Sequence, residues 1–481
     1  MGSSSLKDKT SKGLFWGGMS NLVQQVLNAA FGIYLMRTLS PDDYGLVGML
    51  ALFSMLALML QDSGFFVALV NRREIREEDY NSVFWCNLLI ALLCYAVLFF
   101  CAPLIARYFH QPDLVAVARW TFLGFVFSGF GTAQKALLTK KLQIKELAIV
   151  NIVAVVVSGA VGVTLAWKGF AYWTLVIQAL ILSALTNFGY WLFSGWHPRF
   201  HFDFRPAREM LRFGVKLLAT NVVSVINSNF ITVVLGRYYP AGRVGYYTQA
   251  NKWSSMGNSV LSGMINSVVQ PVMVAVVDDD TRQLRVLRKM MRFAAFIAFP
   301  AMLGLAFIAP EFLELVGGEK WIDSIPLLQI LCAGGAFIPI INVCSGLIIS
   351  RGKSSAFMWS NIALMVATLA TIYLAYPYGI TWMVICLTVI NVLWLLVWWL
   401  LARREVRYSF MALLADLLPF LAITLVSIAA AWFLTRGIDG MAWRMVAKIV
   451  VTAVIYIVFM RLTASVTFKE CVEYFLQRIK K

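Results

Sequence analysis

The chain has 481 residues, of which 60% are hydrophobic and 14% are charged, and its formal net charge is +17. This much apolar surface exceeds what a soluble fold of that size can bury, so lipid must serve as part of the solvent. In a soluble protein the positive charge would favour nucleic acid. Here we interpret it as membrane topology plus attraction to anionic lipid headgroups, with no nucleic-acid partner.

Apolar runs recur from end to end, each about 20 residues long and therefore able to cross a hydrocarbon core of roughly 30 Å as a helix. They predict an all-α, polytopic membrane protein with about 14 transmembrane helices and no soluble domain. The predicted spans, in chain order, are residues 13-36, 44-70, 80-106, 114-138, 147-167, 170-194, 209-236, 246-277, 286-316, 324-350, 355-376, 378-401, 410-434 and 441-463.

The Lys and Arg residues between these runs favour one orientation of the chain. If the N-terminus is inside, most of them fall in segments on the cytoplasmic side, as the positive-inside rule requires. Both termini are then predicted to be cytoplasmic, in a bacterial inner membrane. The cytoplasmic clusters are Lys7, Lys9 and Lys12; Arg72, Arg73 and Arg76; Lys135, Lys140, Lys141 and Lys145; and Arg282, Arg285, Arg288, Lys289 and Arg292.

The second half of the chain repeats the first at a spacing of about 200 residues. Asn21 aligns with Asn221, and the turn from Leu39 to Gly45 aligns with that from Tyr239 to Gly245. A chance match of short Gly and Pro motifs is the alternative, but equal spacing over several helices favours a repeat. We predict two pseudo-symmetric, parallel six-helix bundles around a central cavity, plus two C-terminal helices. The predicted domains are residues 1-200, 201-404 and 405-481, the last including a cytoplasmic tail.

Polar side chains form stripes on three of the predicted helices, although an unpaired polar group is costly in hydrocarbon. Helical spacing places the first stripe within an arc of about 100° on the first span, and the others lie on the seventh and eighth spans. Small and amide side chains often hold membrane helices together, and we apply that interpretation to the serines. The stripes are Asn21, Gln24, Gln25 and Asn28; Lys216, Thr220 and Asn227; and Lys252, Ser255, Ser259, Ser262, Asn266 and Gln270.

Lys216 and Lys252 differ from the amides because a buried ammonium needs a counter-charge or a water-filled cavity. Either they line a hydrated substrate cavity together with the amides, or they snorkel to an interface. Arg119, near the start of the fourth span, is a further candidate for the cavity. A cavity with fixed positive charge and amides would suit an anionic, hydroxyl-rich substrate.

Asp62 is the clearest acid inside the first predicted bundle and is a candidate site for coupling to a proton or cation. Its neighbour Gly64 can instead mark a helix end, which would place Asp62 near the cytoplasmic interface as a cap. We favour the structural interpretation and keep the coupling site as the alternative.

Signs of covalent chemistry are missing from the sequence. The predicted outer loops are short, and neither a nucleophile elbow nor an HExxH motif occurs. Cysteines lie mostly within spans and none has CxxC spacing, so we expect no disulfide framework, metal site or cofactor. We therefore expect a protein without catalytic residues, which is not an enzyme.

Several stretches together resemble one known family. They are Leu6 to Gly13 (LKDKTSKG) followed by Trp16, Leu39 to Gly45 (LSPDDYG), Asp62 to Gly64 (DSG), Asn71 to Ile75 (NRREI), Trp85 with Asn87, and Gly318 to Cys332 (GEKWIDSIPLLQILC). The chain resembles, as far as about residue 404, the bacterial polysaccharide flippases of the Wzx type, especially colanic-acid exporters. That family belongs to a superfamily that also contains multidrug extruders and lipid II flippases.

The resemblance implies that the protein moves an oligosaccharide repeat unit on an undecaprenyl diphosphate carrier across the inner membrane, by alternating access. The product would be O-antigen, capsule or exopolysaccharide. A polysaccharide polymerase and chain-length proteins would be partners. The resemblance leaves open whether H+ or Na+ is the coupling ion. Three alternatives remain: a multidrug or metabolite cation antiporter of the same fold, a lipid II flippase, and a membrane enzyme of polysaccharide assembly. An antiporter site would favour acids inside the bundle, whereas the buried charges here are mostly basic.

Overall fold

The computed structural model describes residues 3–62, 65–72, 75–199, 222 and 225–462. Within those ranges the regular elements are α-helices and two short 3-10 turns, without a strand, which confirms the all-α prediction. The chain divides into two compact units, Met1–Gly245 and Tyr246–Lys481. The predicted domain boundary near residue 200 falls outside the described residues, so the division into three domains stays a prediction.

The described part of the first unit is built from α-helices. They are α1 (Ser3–Thr38), α2 (Pro41–Met49), α3 (Ala51–Asp62), α4 (Phe65–Asn71), α5 (Glu77–Phe109), α6 (Leu114–Gly129), α7 (Thr132–Lys140), α8 (Ile144–Trp167), α9 (Trp173–Ser194) and α10, whose described residues are 225–238. At the span predicted for 44-70, the stretch Pro41–Leu60 is by itself long and apolar enough to cross a membrane. The span predicted at 114-138 is bent by 42° between α6 and α7.

The motif LSPDDYG forms the start of α2. Ser40 caps the helix by accepting a hydrogen bond from the backbone N–H of Asp43, and the Asp43 carboxylate accepts one from the backbone N–H of Ser40 at 2.8 Å. Pro41 follows at the first helical position, where its missing N–H costs nothing. This capping box fixes where the chain turns after α1 and enters the second helix.

Two glycines in the repeated turns make reciprocal close contacts. A Cβ atom added at Gly45 would clash with the carbonyl oxygen of Ala241, and one added at Gly245 would clash with the carbonyl oxygen of Pro41. Residues 41 and 45 correspond to residues 241 and 245 at the predicted spacing. A two-fold relation between the turns has this reciprocal form, and only glycine lets the two backbones approach so closely. The division of the chain into two repeated bundles stays a prediction.

The second unit continues from α11 (Ala241–Val274), which begins in the last residues of the first. Its further helices are α12 (Asp280–Gly317), α13 (Ser324–Gly335), α14 (Ile338–Ser350), α15 (Ser354–Ala375), α16 (Ile380–Val406), α17 (Phe410–Thr435) and α18 (Met441–Leu462). Gly318 and Gly352 adopt positive φ angles of 82° and 70° at the turns that follow α12 and α14. Those angles favour glycine, and both turns reverse the chain between antiparallel helices.

Ion pairs attach the two C-terminal helices to α12. Arg288 and Arg292 donate to the fully buried carboxylate of Asp416 on α17, at 2.8 Å and 2.6 Å. Farther along α12, the ammonium of Lys448 on α18 lies 2.6 Å from the carboxylate of Glu311. The interpretation of Arg288 and Arg292 as loop charges was therefore incomplete, because both belong to a helix and both bind Asp416.

Ten described helices or helix pairs are long and apolar enough to cross a membrane, and the bent pair α6 and α7 makes eleven. The two long helices α1 and α11, with 36 and 34 residues, are not among them. Both carry predicted polar stripes, which lower their hydropathy below that of a lipid-facing span. The predicted seventh span, 209-236, lies partly outside the described residues. The count of 14 spans therefore stays a prediction.

Candidate functional site

The first predicted stripe lies on one face of α1, as the helical spacing required. Asn21 and Asn28 are exposed, whereas Gln24 and Gln25 are half-buried. The Gln24 amide nitrogen donates to the hydroxyl oxygen of Ser20 at 2.9 Å, so part of its hydrogen-bonding capacity is used within the helix. Asn21 and Asn28 keep their amides on the open side of α1.

A neighbouring face of α1 packs against α8. There the ring of Phe31 lies directly over Gly159, in space that a side chain at position 159 would fill. A large apolar contact thus anchors α1 against α8 at the edge of the amide stripe, close to Gln24 around the helix. The packing orients the amides of α1.

Arg119 on α6 contacts α5 in the structure. Its guanidinium stacks 4.2 Å from the ring centroid of Phe99 on α5, which is a cation–π contact. Its Nε is buried and has no hydrogen-bond partner among the described residues. The unsatisfied donor keeps Arg119 as a candidate for substrate contact, although the stacking also gives it a structural role.

The remaining candidates of the first unit are only partly described. Asn227 on α10 is half-buried, and its Oδ1 atom has no hydrogen-bond partner in the described part of the chain. Helix α3 ends at Asp62, in agreement with a helix end close to Gly64. The contacts of the Asp62 side chain and all of Lys216 lie outside the described residues, so the coupling and cavity predictions for them stay predictions.

The third predicted stripe occupies the open face of α11. All of its members are exposed except Ser262, which is half-buried, while the opposite face carries the buried side chains. Lys252 and Gln270 lie on the same face about five turns apart, or roughly 27 Å along the helix. The exposed members of the stripe are Lys252, Ser255, Ser259, Asn266 and Gln270, and the buried face includes Trp253, Leu261, Ile265, Val269 and Met273.

The C-terminal end of this face opens into a cavity of about 400 Å³, where α11, α14, α15 and α16 meet. The volume is in the range of small-molecule sites, roughly 300–1,000 Å³. No charged side chain is among the described residues that line it. Its polar lining consists of Asn266, Gln270, Asn342, Ser345, Asn361 and Asn391.

The protein itself uses only part of the hydrogen-bonding capacity of the cavity amides. The amide nitrogens of Asn361 and Asn391 each donate at 2.8 Å to the carbonyl oxygen four residues earlier in their own helix. Asn342 on α14 donates to the hydroxyl of Ser262 on α11 at 3.2 Å. The Oδ1 atoms of Asn361 and Asn391 have no such partner within the described chain, so they present acceptors to the cavity.

Sequence reasoning found Asn266 and Gln270 but missed the other side of this cavity. Asn361 and Asn391 each lie in an otherwise apolar span, and an amide at membrane depth is a signal that could have been followed. What the sequence could not show is that α15 and α16 bring them to the same place as α11.

Comparison with known proteins gives a consistent result. The model of a family described as polysaccharide biosynthesis protein matches residues 34–326. The chain is 29% identical over 357 residues to the lipopolysaccharide biosynthesis protein WzxC of Escherichia coli (strain K12), which covers 73% of this chain and 71% of that protein. It is 24% identical over 438 residues to the succinoglycan biosynthesis transport protein ExoT of Rhizobium meliloti (strain 1021), covering 89% and 88%.

Among solved structures, the lipid II flippase MurJ in an inward closed conformation matches with a TM-score of 0.77. The match covers 95% of this chain and 99% of that chain at 16% identity, which shows a shared fold. Together with its long apolar helices, this match shows a multi-pass membrane protein that shares the fold of that flippase. These findings confirm the resemblance seen in the motifs.

Proposed function

The chain belongs to the polysaccharide biosynthesis protein family, and from that premise we propose that it is a flippase for lipid-linked oligosaccharides. Its substrate would be an oligosaccharide repeat unit on undecaprenyl diphosphate, carried across the bacterial inner membrane for assembly of O-antigen, capsule or exopolysaccharide. The protein would do no covalent chemistry on it and would act without a cofactor.

The observation that carries this proposal is the open polar face of α11. A helix that exposes Lys252 and a row of hydroxyl and amide groups at membrane depth needs a hydrated path or a polar ligand, because hydrocarbon would leave these groups unsatisfied. A diphosphate matches the ammonium, and sugar hydroxyls match the amides. The lipid tail could remain in the bilayer while the head group crosses.

Alternating access is the mechanism that this architecture favours. Two parallel bundles that rock about a central site would expose the polar face first to one side of the membrane and then to the other. Both termini would be cytoplasmic, by the distribution of basic residues. H+ or Na+ could drive the cycle, with Asp62 as the residue to test. A polysaccharide polymerase and chain-length proteins would receive the product.

A cation antiporter of the same fold is the second candidate, and the cavity disfavours it. A site for lipophilic cations would carry acids, whereas the described lining of the cavity is made of amides, a serine and apolar groups. A membrane enzyme of polysaccharide assembly would need catalytic acids or histidines on an outer loop. His110 lies in the turn after α5, and its Nδ1 atom lies 2.8 Å from the Arg237 guanidinium, so the ring is already in contact with a cation of the protein.

Deletion of the gene in its host tests the proposal. Lipid-linked oligosaccharides would be extracted, and we expect a complete repeat unit to accumulate on the carrier while surface polysaccharide is lost. Wild type should restore both. Lys252→Gln should reduce flux by roughly 10- to 100-fold, because a hydrogen bond to a charged group contributes about 1.5–3 kcal/mol. Lys216→Gln would be measured alongside it.

Lys168→Gln is the matched control, because this lysine lies in the turn between α8 and α9 and is exposed. This variant should complement the deletion strain as fully as wild type does. Absence of accumulation, together with new sensitivity to cationic drugs, would contradict the flippase and favour the antiporter.

A further inference from the structure

We propose that the cavity enclosed by α11, α14, α15 and α16 is a binding site for uncharged sugar residues of the transported head group. The proposal rests on the proposed function and deepens it, because it assigns the sugars and the diphosphate to different places. The sugars would bind to the amides of this cavity, and the diphosphate would depend on the lysines.

The chemistry of the lining selects neutral, hydroxyl-rich ligands. Asn361 and Asn391 project carbonyl oxygens that the described residues leave without partners, and these can accept hydrogen bonds from sugar hydroxyls. Gln270 and Asn266 reach the same space from α11. With no charged group among the described lining residues, nothing offsets the desolvation of an anionic or cationic ligand.

Two indole rings complete the site. Trp394 and Trp398, one turn apart on α16, both line the cavity. The Trp394 Nε1 donates to the hydroxyl of Ser360 at 3.1 Å, and Trp398 packs against Phe357 with ring centroids 5.6 Å apart, so both rings are held in place. Because Trp398 is only 3% exposed, the half-buried Trp394 is the indole that can offer a stacking surface to the apolar C–H face of a sugar ring, while the sugar hydroxyls meet the amides.

Helix association alone does not account for these amides. Amides that hold membrane helices together donate across the interface, as Asn342 does to Ser262. Asn361 and Asn391 instead donate within their own helices, and both line the cavity. A polar group with an unpaired acceptor is destabilising in hydrocarbon, and only water or a ligand can offset that cost.

The cavity lies toward one end of the second unit. Asn342, Asn361 and Trp398 are each about two turns from the end of their helix, and those ends meet in the same layer. Arg351 at the end of α14 pairs there with Asp280 at the start of α12, and Lys353 pairs with Glu405 of α16. On the predicted orientation this is the cytoplasmic end, from which the sugars would enter.

Distance makes the assignment testable. Lys252 is roughly 27 Å from Gln270 along α11, so a change in the cavity does not touch the lysine. Purified protein in nanodiscs would be titrated with two lipids, the oligosaccharide-linked undecaprenyl diphosphate that accumulates in the deletion strain and undecaprenyl diphosphate without sugars. The dissociation constants of the two lipids would be obtained from thermal-shift titrations that follow the intrinsic signal of the protein, and then compared.

We expect wild type to bind the glycosylated lipid more tightly than the bare one. Asn361→Leu and Asn391→Leu should each reduce that preference by roughly 3- to 10-fold, the loss expected for one hydrogen bond. Trp394→Leu should act in the same direction. All three should bind the bare lipid as wild type does, which also shows that they are folded. Lys252→Gln should weaken the binding of both lipids.

Trp359→Leu is the matched control on α15, because Trp359 is 64% exposed and is not part of the cavity lining. It should leave both affinities unchanged. The inference is overturned if wild type binds the two lipids equally, or if the cavity variants weaken both lipids to the same extent. Failure of the proposed function would look different, since neither lipid would bind wild type and none would accumulate in the deletion strain.

Discussion

Polar side chains on the long helices of this protein fall into two opposite classes. Around Asp416 they are saturated, because its fully buried carboxylate receives hydrogen bonds from Arg288, Arg292 and Tyr408. On the open face of α11 and in the amide cavity they are left with spare capacity. A satisfied polar cluster fixes helices, whereas spare hydrogen-bonding capacity is the feature from which we propose ligand binding.

The comparison predicts its largest stability effect at Asp416. Asp416→Ala would leave two guanidinium groups and the Tyr408 hydroxyl facing a cavity, and breaking a buried charge cluster costs about 3–5 kcal/mol. Because Arg288 and Arg292 are 36% and 38% exposed, the lower end of that range is expected. The apparent unfolding temperature in detergent and the yield of monodisperse protein would measure it.

Asp280→Ala is the control, since Asp280 also pairs with an arginine but its side chain is 68% exposed. An exposed pair contributes about 0–1 kcal/mol, so this variant should stay close to wild type. Equal losses of stability in Asp416→Ala and Asp280→Ala would mean that burial does not govern how much these ion pairs contribute to stability.

The second prediction concerns the pair between α12 and α18. Lys448→Met leaves the Glu311 carboxylate buried without its cation and should destabilise the protein by about 3 kcal/mol. The double variant Glu311→Gln with Lys448→Met removes both charges and should recover most of the stability. Unfolding temperature and complementation of the deletion strain would both be recorded. A double variant that is stable but fails to transport would show that the pair belongs to the site.

The sequence predicted the features that depend on one helix. Apolar runs predicted the spans, and helical spacing placed Asn21 and Asn28 on one face of α1 and Lys252 on the open face of α11. It did not predict features that need two helices. Asp416 is the single acid in its span, which hinted at a buried partner, but nothing in the spacing pointed to Arg288.

The polar stripes that make α1 and α11 candidates for the site also lower their hydropathy below that of an apolar span. Their stripes were found only by asking where each polar side chain lies around the helix. The same question applied to α15 and α16 would have found Asn361 and Asn391. Their convergence on one cavity depends on tertiary packing, which a single sequence does not contain.

The smallest stability effect, and the most direct contrast with Asp416, is expected on α1. Asn21→Leu and Asn28→Leu change exposed amides and should alter the free energy of unfolding by no more than about 0.5 kcal/mol. Both should reduce complementation of the deletion strain, because a leucine cannot accept or donate a hydrogen bond. Gln24→Leu is the control within the helix, since the Gln24 amide already bonds Ser20, and its transport loss should be smaller. If Asn21→Leu and Asn28→Leu instead lower the unfolding temperature as Asp416→Ala does, the amides of α1 hold helices together, and the open polar face that the substrate needs would be confined to the second unit.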